Sequence, residues 1–210
     1  MKLSEIQGTY DAIFSLGNLC LVSIQLEKHN LRPYAGPLDW MSSHNLSNVN
    51  RLLAKRFAGF MDRDHLVVDK KLSDALYLVL ETEYNIGSNH DFFTHANTPD
   101  NLAAYPSVKA KYDRRVERFL NKCATSRKTL FIRTEGTLEQ AEELKNILSG
   151  LVAHEFNILL VNHTDTVQGM VETECPVDRV CSLLMPEAGY WSGNDPLWAD
   201  LLSKIHLDES

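Results

Sequence analysis

The sequence has little of what would bind nucleic acid or cross a membrane. It carries 21 lysines and arginines against 28 aspartates and glutamates, for a net charge of -7. Because binding to phosphates needs clustered positive charge, we expect no nucleic-acid partner and no anionic membrane partner. No apolar run approaches the roughly 20 residues of a membrane span, and the amino terminus lacks the apolar core of a signal peptide. The sequence therefore predicts a cytoplasmic location.

Cysteines are few and are not paired in sequence. They lie at positions 20, 123, 175 and 181, so free thiols in a reducing compartment are expected. The phosphate-binding patterns GxGxxG and GxxxxGK[ST] are missing, and so is the GxSxG serine turn of hydrolases. His90 and His95 lie near each other without further ligands at a zinc-type spacing. We expect no metal site and no cofactor.

Apolar strands and amphipathic helices alternate along the chain. Apolar runs predict strands at 12–16, 65–69, 75–81, 129–133, 156–162 and 179–185. Helical spacing predicts helices from 19 to near 29–30 and at 48–61, 109–123, 137–151 and 196–205. The segment 82–99, with little periodicity, is interpreted as a functional loop. The alternation predicts one α/β domain over residues 1–210, with a largely parallel or mixed central sheet and helices on both faces. Phe14, Phe131 and Leu159 should then lie in one sheet.

The stretch from Tyr10 to Leu26 reads as strand, tight turn and helix. Gly17 permits the turn, and Asn18 is a favourable N-cap, which would place Cys20 in the first turn of the helix. Backbone N–H groups and the helix dipole would there stabilise a thiolate and lower the pKa of Cys20. The alternative is that Cys20 is a small buried apolar residue.

These residues carry a resemblance to a known family. SLGNLC at 15–20, AGPLDWM at 35–41, His90-Asp91-Phe92 and the strand FIR at 131–133 resemble a bacterial family of papain-like cysteine peptidases, a domain of unknown function. Leu38 stands where the family usually has Phe. The resemblance implies a two-lobed papain-type arrangement as an alternative fold. It also implies a cysteine nucleophile with a histidine base.

The resemblance implies Cys20 as the nucleophile, and His90 is the candidate for the base. The alternative for His90 is a solvated loop histidine. His163, at the carboxyl end of a predicted strand, is the competing base, and His95 ranks below both. A third residue must orient the imidazole, and Asp39 in the rigid GPLDW loop is the leading candidate. Asp39 has an alternative role as a turn cap.

Other residues are candidates for substrate binding. The Cys20 backbone N–H and the Asn18 side chain would stabilise an oxyanion. Arg133 would bind a substrate carboxylate or phosphate, or pair internally with Glu135. Trp40 either packs in the protein or stacks on the ligand.

The function predicted is a cysteine hydrolase or acyltransferase that acts on an amide or thioester of a small molecule or peptide. The alternative is a non-catalytic α/β module that holds an anionic metabolite or peptide at the helix start after SLGNLC. The reactivity of Cys20 separates the two hypotheses.

Overall fold

The secondary structure follows most of the predicted alternation. The computed structural model describes residues 1–208. Its helices are α1 (Leu3–Ile6), α2 (Leu21–Lys28), α3 (Leu46–Ala54), α4 (Tyr105–Thr125), α5 (Leu138–Leu151) and α6 (Asp195–Leu202). Its strands are β1 (Gly8–Tyr10), β2 (Ala12–Ser15), β3 (Met41–Ser42), β4 (Leu66–Lys71), β5 (Leu76–Glu81), β6 (Ile86–Phe93), β7 (Lys128–Thr134), β8 (Glu155–Thr164), β9 (Val171–Thr173), β10 (Val180–Pro186) and β11 (Ile205–Leu207).

The central sheet has the order β2-β7-β8-β10-β9. Strands β2, β7, β8 and β10 run parallel, and β9 is antiparallel at the edge. Phe14 pairs with Phe131, and Leu159 pairs with Ile132 on the next strand. The predicted mixed sheet is confirmed. Because parallel strands present their carboxyl ends at one edge, the segments after β2, β7, β8 and β10 meet there.

Helices cover both faces of this sheet, as predicted. One face carries Phe14, Phe131 and Leu160 and packs against buried side chains of α3, α4 and α5. The other face carries Ile13 and Leu159 and packs against α2 and α6. Strand residues alternate between the faces because successive side chains point to opposite sides of a strand. Within residues 1–208, no helix combines the length and apolarity needed to cross a bilayer.

A second sheet was not predicted as such. It is antiparallel, with the order β3-β6-β5-β4, and side chains from β4, β5 and β6 join the same buried cluster as α3, α4 and α5. The predicted hairpin is β4 and β5. The interpretation of 82–99 as a loop is wrong in its middle, where the eight residues of β6 form a strand. The two sheets therefore enclose a shared core, and they meet at the turn after β2.

Two predicted helices are shorter than the apolar spacing indicates. The helix predicted at 48–61 ends at Ala54, after which Arg56, Phe57 and Met61 adopt positive φ angles. Phe57 and Phe60 are still buried, so the core takes these apolar side chains from an irregular segment. At the start of this helix, Asn45 accepts a hydrogen bond from Ser47 N and caps the helix. The last helix ends at Leu202, and the chain returns as β11.

Buried thiols make stability depend on alkaline pH. Burial raises the pKa of Cys123 and of Cys181 to about 12, from an ordinary value of 9.0. A raised folded-state pKa contributes stability that is fully present below pH 9.0 and is lost as pH rises toward 12. Each thiol therefore adds a downward slope that approaches about 1.4 kcal/mol per pH unit to the free energy of unfolding.

We expect Cys123→Ala to flatten this alkaline slope. Chemical denaturation from about pH 8 to about pH 10.5 measures it. The cavity left by Cys123→Ala lowers stability at every pH, so the slope and not the absolute value is the readout. Cys175→Ala, which removes a partly exposed thiol, should keep the wild-type slope. An unchanged slope in Cys123→Ala would contradict the assignment.

Candidate active site

The turn between β2 and α2 is built around Gly17. Its φ angle is 88°, and a Cβ at this position would collide with Ser43 Oγ and with Arg133 Nη1, so only glycine fits. Asn18 N donates to Thr134 Oγ1 at 3.1 Å, and Ser43 N donates to Asn18 O at 2.8 Å. These bonds tie the turn to the end of β7 and to the segment after β3.

Cys20 lies at the N-cap of α2, not inside its first turn. The predicted N-cap, Asn18, makes no side-chain hydrogen bond within residues 1–208, and the helix begins at Leu21. The prediction for Asn18 as the cap is wrong, because the hydrogen bonds from Asn18 N to Thr134 Oγ1 and from Ser43 N to Asn18 O hold its backbone in the turn before the helix start. The Asn18 side chain is thus left unengaged beside the cysteine.

Cys20 and His90 are in contact. Cys20 Sγ lies 3.3 Å from His90 Nε2. Cys20 is 7% exposed, whereas His90 is exposed to solvent. The sulfur comes from the turn after the parallel strand β2, and the imidazole comes from the antiparallel strand β6. This is the geometry of a thiol with a hydrogen-bonded base.

His90 projects from a bulge in β6. Tyr77 pairs with Phe92 and Val79 pairs with Ser88, so Asn89, His90 and Asp91 lie opposite the single residue Leu78. A bulge redirects a side chain out of the regular alternation, and bulges often occur beside active sites. Here it accompanies an imidazole that reaches Cys20.

The neighbouring Asp91 anchors the bulge. Its carboxylate accepts hydrogen bonds from Ser88 Oγ and Tyr112 Oη and is paired with Lys111 on α4. Burial alone would raise the pKa of Asp91, but the bonds from Lys111, Ser88 and Tyr112 outweigh burial and lower it. Asp91 therefore stays ionised and fixes the backbone next to His90.

The predicted low pKa of Cys20 is wrong. Burial raises the pKa of the Cys20 thiol, its own backbone N–H lowers it by a smaller amount, and the charge of Asp39 adds to the increase. The N-cap position places one N–H near the sulfur but not the several converging groups of a first turn. A thiol, not a thiolate, is therefore favoured at rest.

Asp39 does not orient His90 directly. Its Oδ2 accepts hydrogen bonds from Arg32 Nε at 2.7 Å and from Gly36 N at 2.8 Å, and within residues 1–208 it makes none to His90. The prediction of Asp39 as the hydrogen-bonding third residue is contradicted because these two donors hold the carboxylate inside its own loop. The turn-cap alternative fits this geometry.

Trp40 connects this loop to His90. The Arg32 guanidinium carbon lies 5.2 Å from the centre of the Trp40 ring, and the Trp40 ring meets the His90 ring edge-on at 5.4 Å. A chain of contacts therefore runs from Asp39 through Arg32 and Trp40 to His90. Arg32 was not singled out in the sequence, because nothing in its spacing indicates a partner seven residues later.

Arg133 is sealed inside the protein and does not face a ligand. It is 0% exposed and donates to Leu16 O, Ser43 Oγ, Ser43 O and Glu135 O at 2.6 to 3.0 Å. Burial lowers the pKa of Arg133 to about 10, so it remains charged at neutral pH. Its prediction as a substrate ligand is wrong, and the internal alternative holds through the Glu135 backbone, not its carboxylate.

His163 is paired with Glu135 and is turned away from the solvent. His163 Nδ1 lies 2.6 Å from Glu135 Oε1, and its side chain is 3% exposed. His95 is exposed and packs its ring 5.6 Å from Phe93. The histidine in contact with Cys20 is His90. In residues 1–208, no group of three or more His, Cys, Asp or Glu side chains is arranged to hold a metal ion.

Comparison with known proteins agrees with the sequence resemblance. Residues 11–166 match a family model described as "Putative papain-like cysteine peptidase (DUF1796)". The chain belongs to this family. The match to the papain-like family includes Cys20, Asp39, His90, Arg133 and His163, and it ends before Tyr190.

A viral relative extends the family beyond bacteria. The chain is 27% identical over 177 residues to "Uncharacterized protein R408" of Acanthamoeba polyphaga mimivirus, an alignment that covers 73% of this chain and 78% of the relative. The description of the family as bacterial is therefore too narrow. No solved structure matches the chain.

Proposed function

We propose that this member of the papain-like family is a cysteine hydrolase or acyltransferase that acts on an amide or thioester. The observation that carries the proposal is the 3.3 Å contact between Cys20 Sγ and His90 Nε2 at the carboxyl edge of the central sheet. Cys20 is the nucleophile and His90 the general base. The substrate is a small molecule or a peptide.

The raised pKa of Cys20 determines how the pair would act. At rest Cys20 is a thiol, and His90 Nε2 takes the thiol proton as Sγ attacks the carbonyl carbon. The new C–S bond forms, the electron pair of the C=O moves onto oxygen, and the tetrahedral intermediate then expels the leaving group, which receives the proton from His90. Water hydrolyses the resulting thioester.

Two groups are available for the developing oxyanion. Asn18 carries an amide NH2 group at this turn, and its Oδ1 is buried without a hydrogen-bond partner within the described residues. The Cys20 backbone N–H faces its own sulfur. Donors held in place before the reaction stabilise the transition state because they need no reorganisation. We assign these two groups as the oxyanion donors. Trp40 lines the same side of the site as His90.

The competing function is a non-catalytic module for an anion. The sealed Arg133 weighs against it, because all of its bonds within residues 1–208 go to protein oxygens. The raised pKa of Cys20 favours the binding module, since an inert buried thiol also has a raised pKa. The reactivity of Cys20 decides between the two.

We expect iodoacetamide to alkylate Cys20 faster than Cys175 at pH 7. Cys175 is the more exposed of the two thiols, so exposure alone predicts the opposite order. Base assistance from His90 should make Cys20 at least about tenfold faster. Peptide mass spectrometry of the alkylated protein measures both rates in one sample.

His90→Ala should remove the advantage of Cys20, and His95→Ala should leave it unchanged. His95 is the matched control because it lies five residues away and does not touch Cys20. If Cys20 reacts more slowly than Cys175 in the wild type, the thiol is inert and the binding module replaces the enzyme.

A further inference from the structure

A second imidazole and carboxylate pair lies at the same edge of the central sheet. Glu135 directly follows β7, and His163 lies on β8. Glu135 Oε1 accepts one hydrogen bond from the His163 backbone N–H and one from the His163 ring Nδ1. In the neutral tautomer that donates Nδ1–H to the carboxylate, His163 Nε2 carries a free electron pair. That atom is buried and has no hydrogen-bond partner within the described residues.

The other buried polar atom here is the Tyr190 hydroxyl. The Tyr190 ring covers His163 at a centroid distance of 4.4 Å. Its hydroxyl is buried without a hydrogen bond of good geometry, and the Thr134 side chain lies near enough to lower its pKa against the larger increase from burial. Unpaired buried polar atoms are costly, and one explanation for them is a ligand.

This pair adjoins the Cys20 turn. Thr134, next to Glu135, donates from its backbone N to Gly17 O at 3.0 Å and accepts from Asn18 N. Tyr190 lies close enough to both Thr134 and Cys20 for each to alter its pKa, although burial is the main reason that this pKa is raised. The second pair therefore lies next to the turn that carries the nucleophile.

The polar groups of the Glu135 and His163 pair favour a ligand that donates a hydrogen bond. His163 Nε2 accepts, and the Glu135 carboxylate is negative. Arg133, the nearby cation, gives its donors to Leu16, Ser43 and the Glu135 backbone. An anionic group would meet no free positive charge here, whereas an amine would meet an acceptor backed by a carboxylate.

We propose that Glu135, His163 and Tyr190 form the subsite for a primary amine that receives the acyl group from Cys20. The inference rests on the proposed function and makes the protein an acyltransferase to amines in preference to a hydrolase. Tyr190 is the cover that must turn aside for the amine to reach His163.

These groups can complete the transfer of the acyl group from Cys20 to the amine. The amine nitrogen attacks the thioester carbon, its proton passes to His163 Nε2, and Glu135 stabilises the imidazolium that forms. The C–N bond forms as the C–S bond breaks, and the electron pair returns to Cys20 Sγ. The proton then moves from His163 to the thiolate through solvent, so the enzyme is restored.

A partition experiment tests the inference. p-Nitrophenyl acetate acylates the full chain, and the burst of nitrophenolate reports acylation of Cys20. Glycinamide then competes with water for the acetyl group, and mass spectrometry measures N-acetylglycinamide against acetate. We expect His163→Ala to keep the burst and to lower the yield of the amide product about 100-fold. His154→Ala, which removes an exposed histidine at the opposite end of β8, should match the wild type.

Other variants keep the experiment informative. His163→Gln replaces His163→Ala if the latter fails to fold, and Tyr190→Phe removes only the hydroxyl. In Cys20→Ala, which cannot be acylated, NMR of the His163 ring should show saturable shifts as glycinamide is added. If both the wild type and His163→Ala show a burst and divide the acetyl group equally between glycinamide and water, the amine subsite is overturned and the proposed function stands. Absence of any burst overturns the proposed function, and absence of NMR shifts then overturns the amine subsite separately.

Discussion

Arg133→Met should lower the free energy of unfolding by about 3–5 kcal/mol. The guanidinium is fully buried and bridges Leu16 O after β2, Ser43 after β3 and Glu135 O after β7. Methionine fills much of the volume but leaves these buried oxygens without donors, and such unpaired acceptors carry the full desolvation cost. Urea denaturation at pH 7 measures the change.

Arg133→Lys is the matched control for charge. Its ammonium keeps the charge but cannot reproduce the planar fork that reaches several acceptors at once, so we expect an intermediate loss of stability. A variant Arg133→Met with wild-type stability and lost substrate binding would contradict the structural role. It would return Arg133 to the role of a substrate ligand.

His90→Ala should lower turnover of an acyl substrate by about 10²–10⁴-fold with little change in stability. The imidazole is exposed and contacts Cys20 and Trp40, so its removal leaves no buried cavity. The loss should appear in kcat, because general-base assistance is needed in the transition state and not for binding. Steady-state hydrolysis of p-nitrophenyl acetate and of a thioester measures it.

Two controls separate this effect from nonspecific disruption. His95→Ala should retain wild-type turnover, whereas Cys20→Ala should abolish it. If His90→Ala keeps full turnover while His163→Ala abolishes acylation, the base is His163 and the 3.3 Å contact is incidental.

Much of the fold could be predicted from the sequence because its signals are local. The strands β7 and β8 are continuous apolar runs, and Thr137 and Gln140 form a capping box at the start of α5. The mixed sheet and the helices on both faces follow from the alternation of these elements. Strand β6 could not be found in this way, because the bulge at Asn89, His90 and Asp91 interrupts its two-residue period.

The sequence predicted the two residues in contact, Cys20 and His90, but not the residues that hold them in place. The SLGNLC turn and the HDF segment pointed to Cys20 and His90, which the fold brings together. Asp39 and Arg133 were misassigned because the sequence of a motif does not show whether a charged side chain faces a ligand or a buried protein partner. Arg32, Lys111 and Tyr112 were missed because their partners are set by tertiary packing.

The two sheets give the site its rigidity. Cys20 is held by the turn that Gly17, Ser43 and Thr134 fix, and His90 is held by the bulge that Asp91 anchors to α4. Neither side chain depends on a long loop for its position. Catalytic groups on such rigid elements stay within reach of each other without reorganisation.

The most direct test of the account is the site of acylation. The wild-type chain is mixed with excess p-nitrophenyl acetate, quenched in acid within seconds and digested, and the acetylated cysteine is located by mass spectrometry. The account predicts rapid acetylation of Cys20, at least about 100-fold slower acetylation in His90→Ala, and none at this position in Cys20→Ala. Equal labelling of Cys20 and Cys175, or labelling of Cys175 alone, would contradict a nucleophilic Cys20.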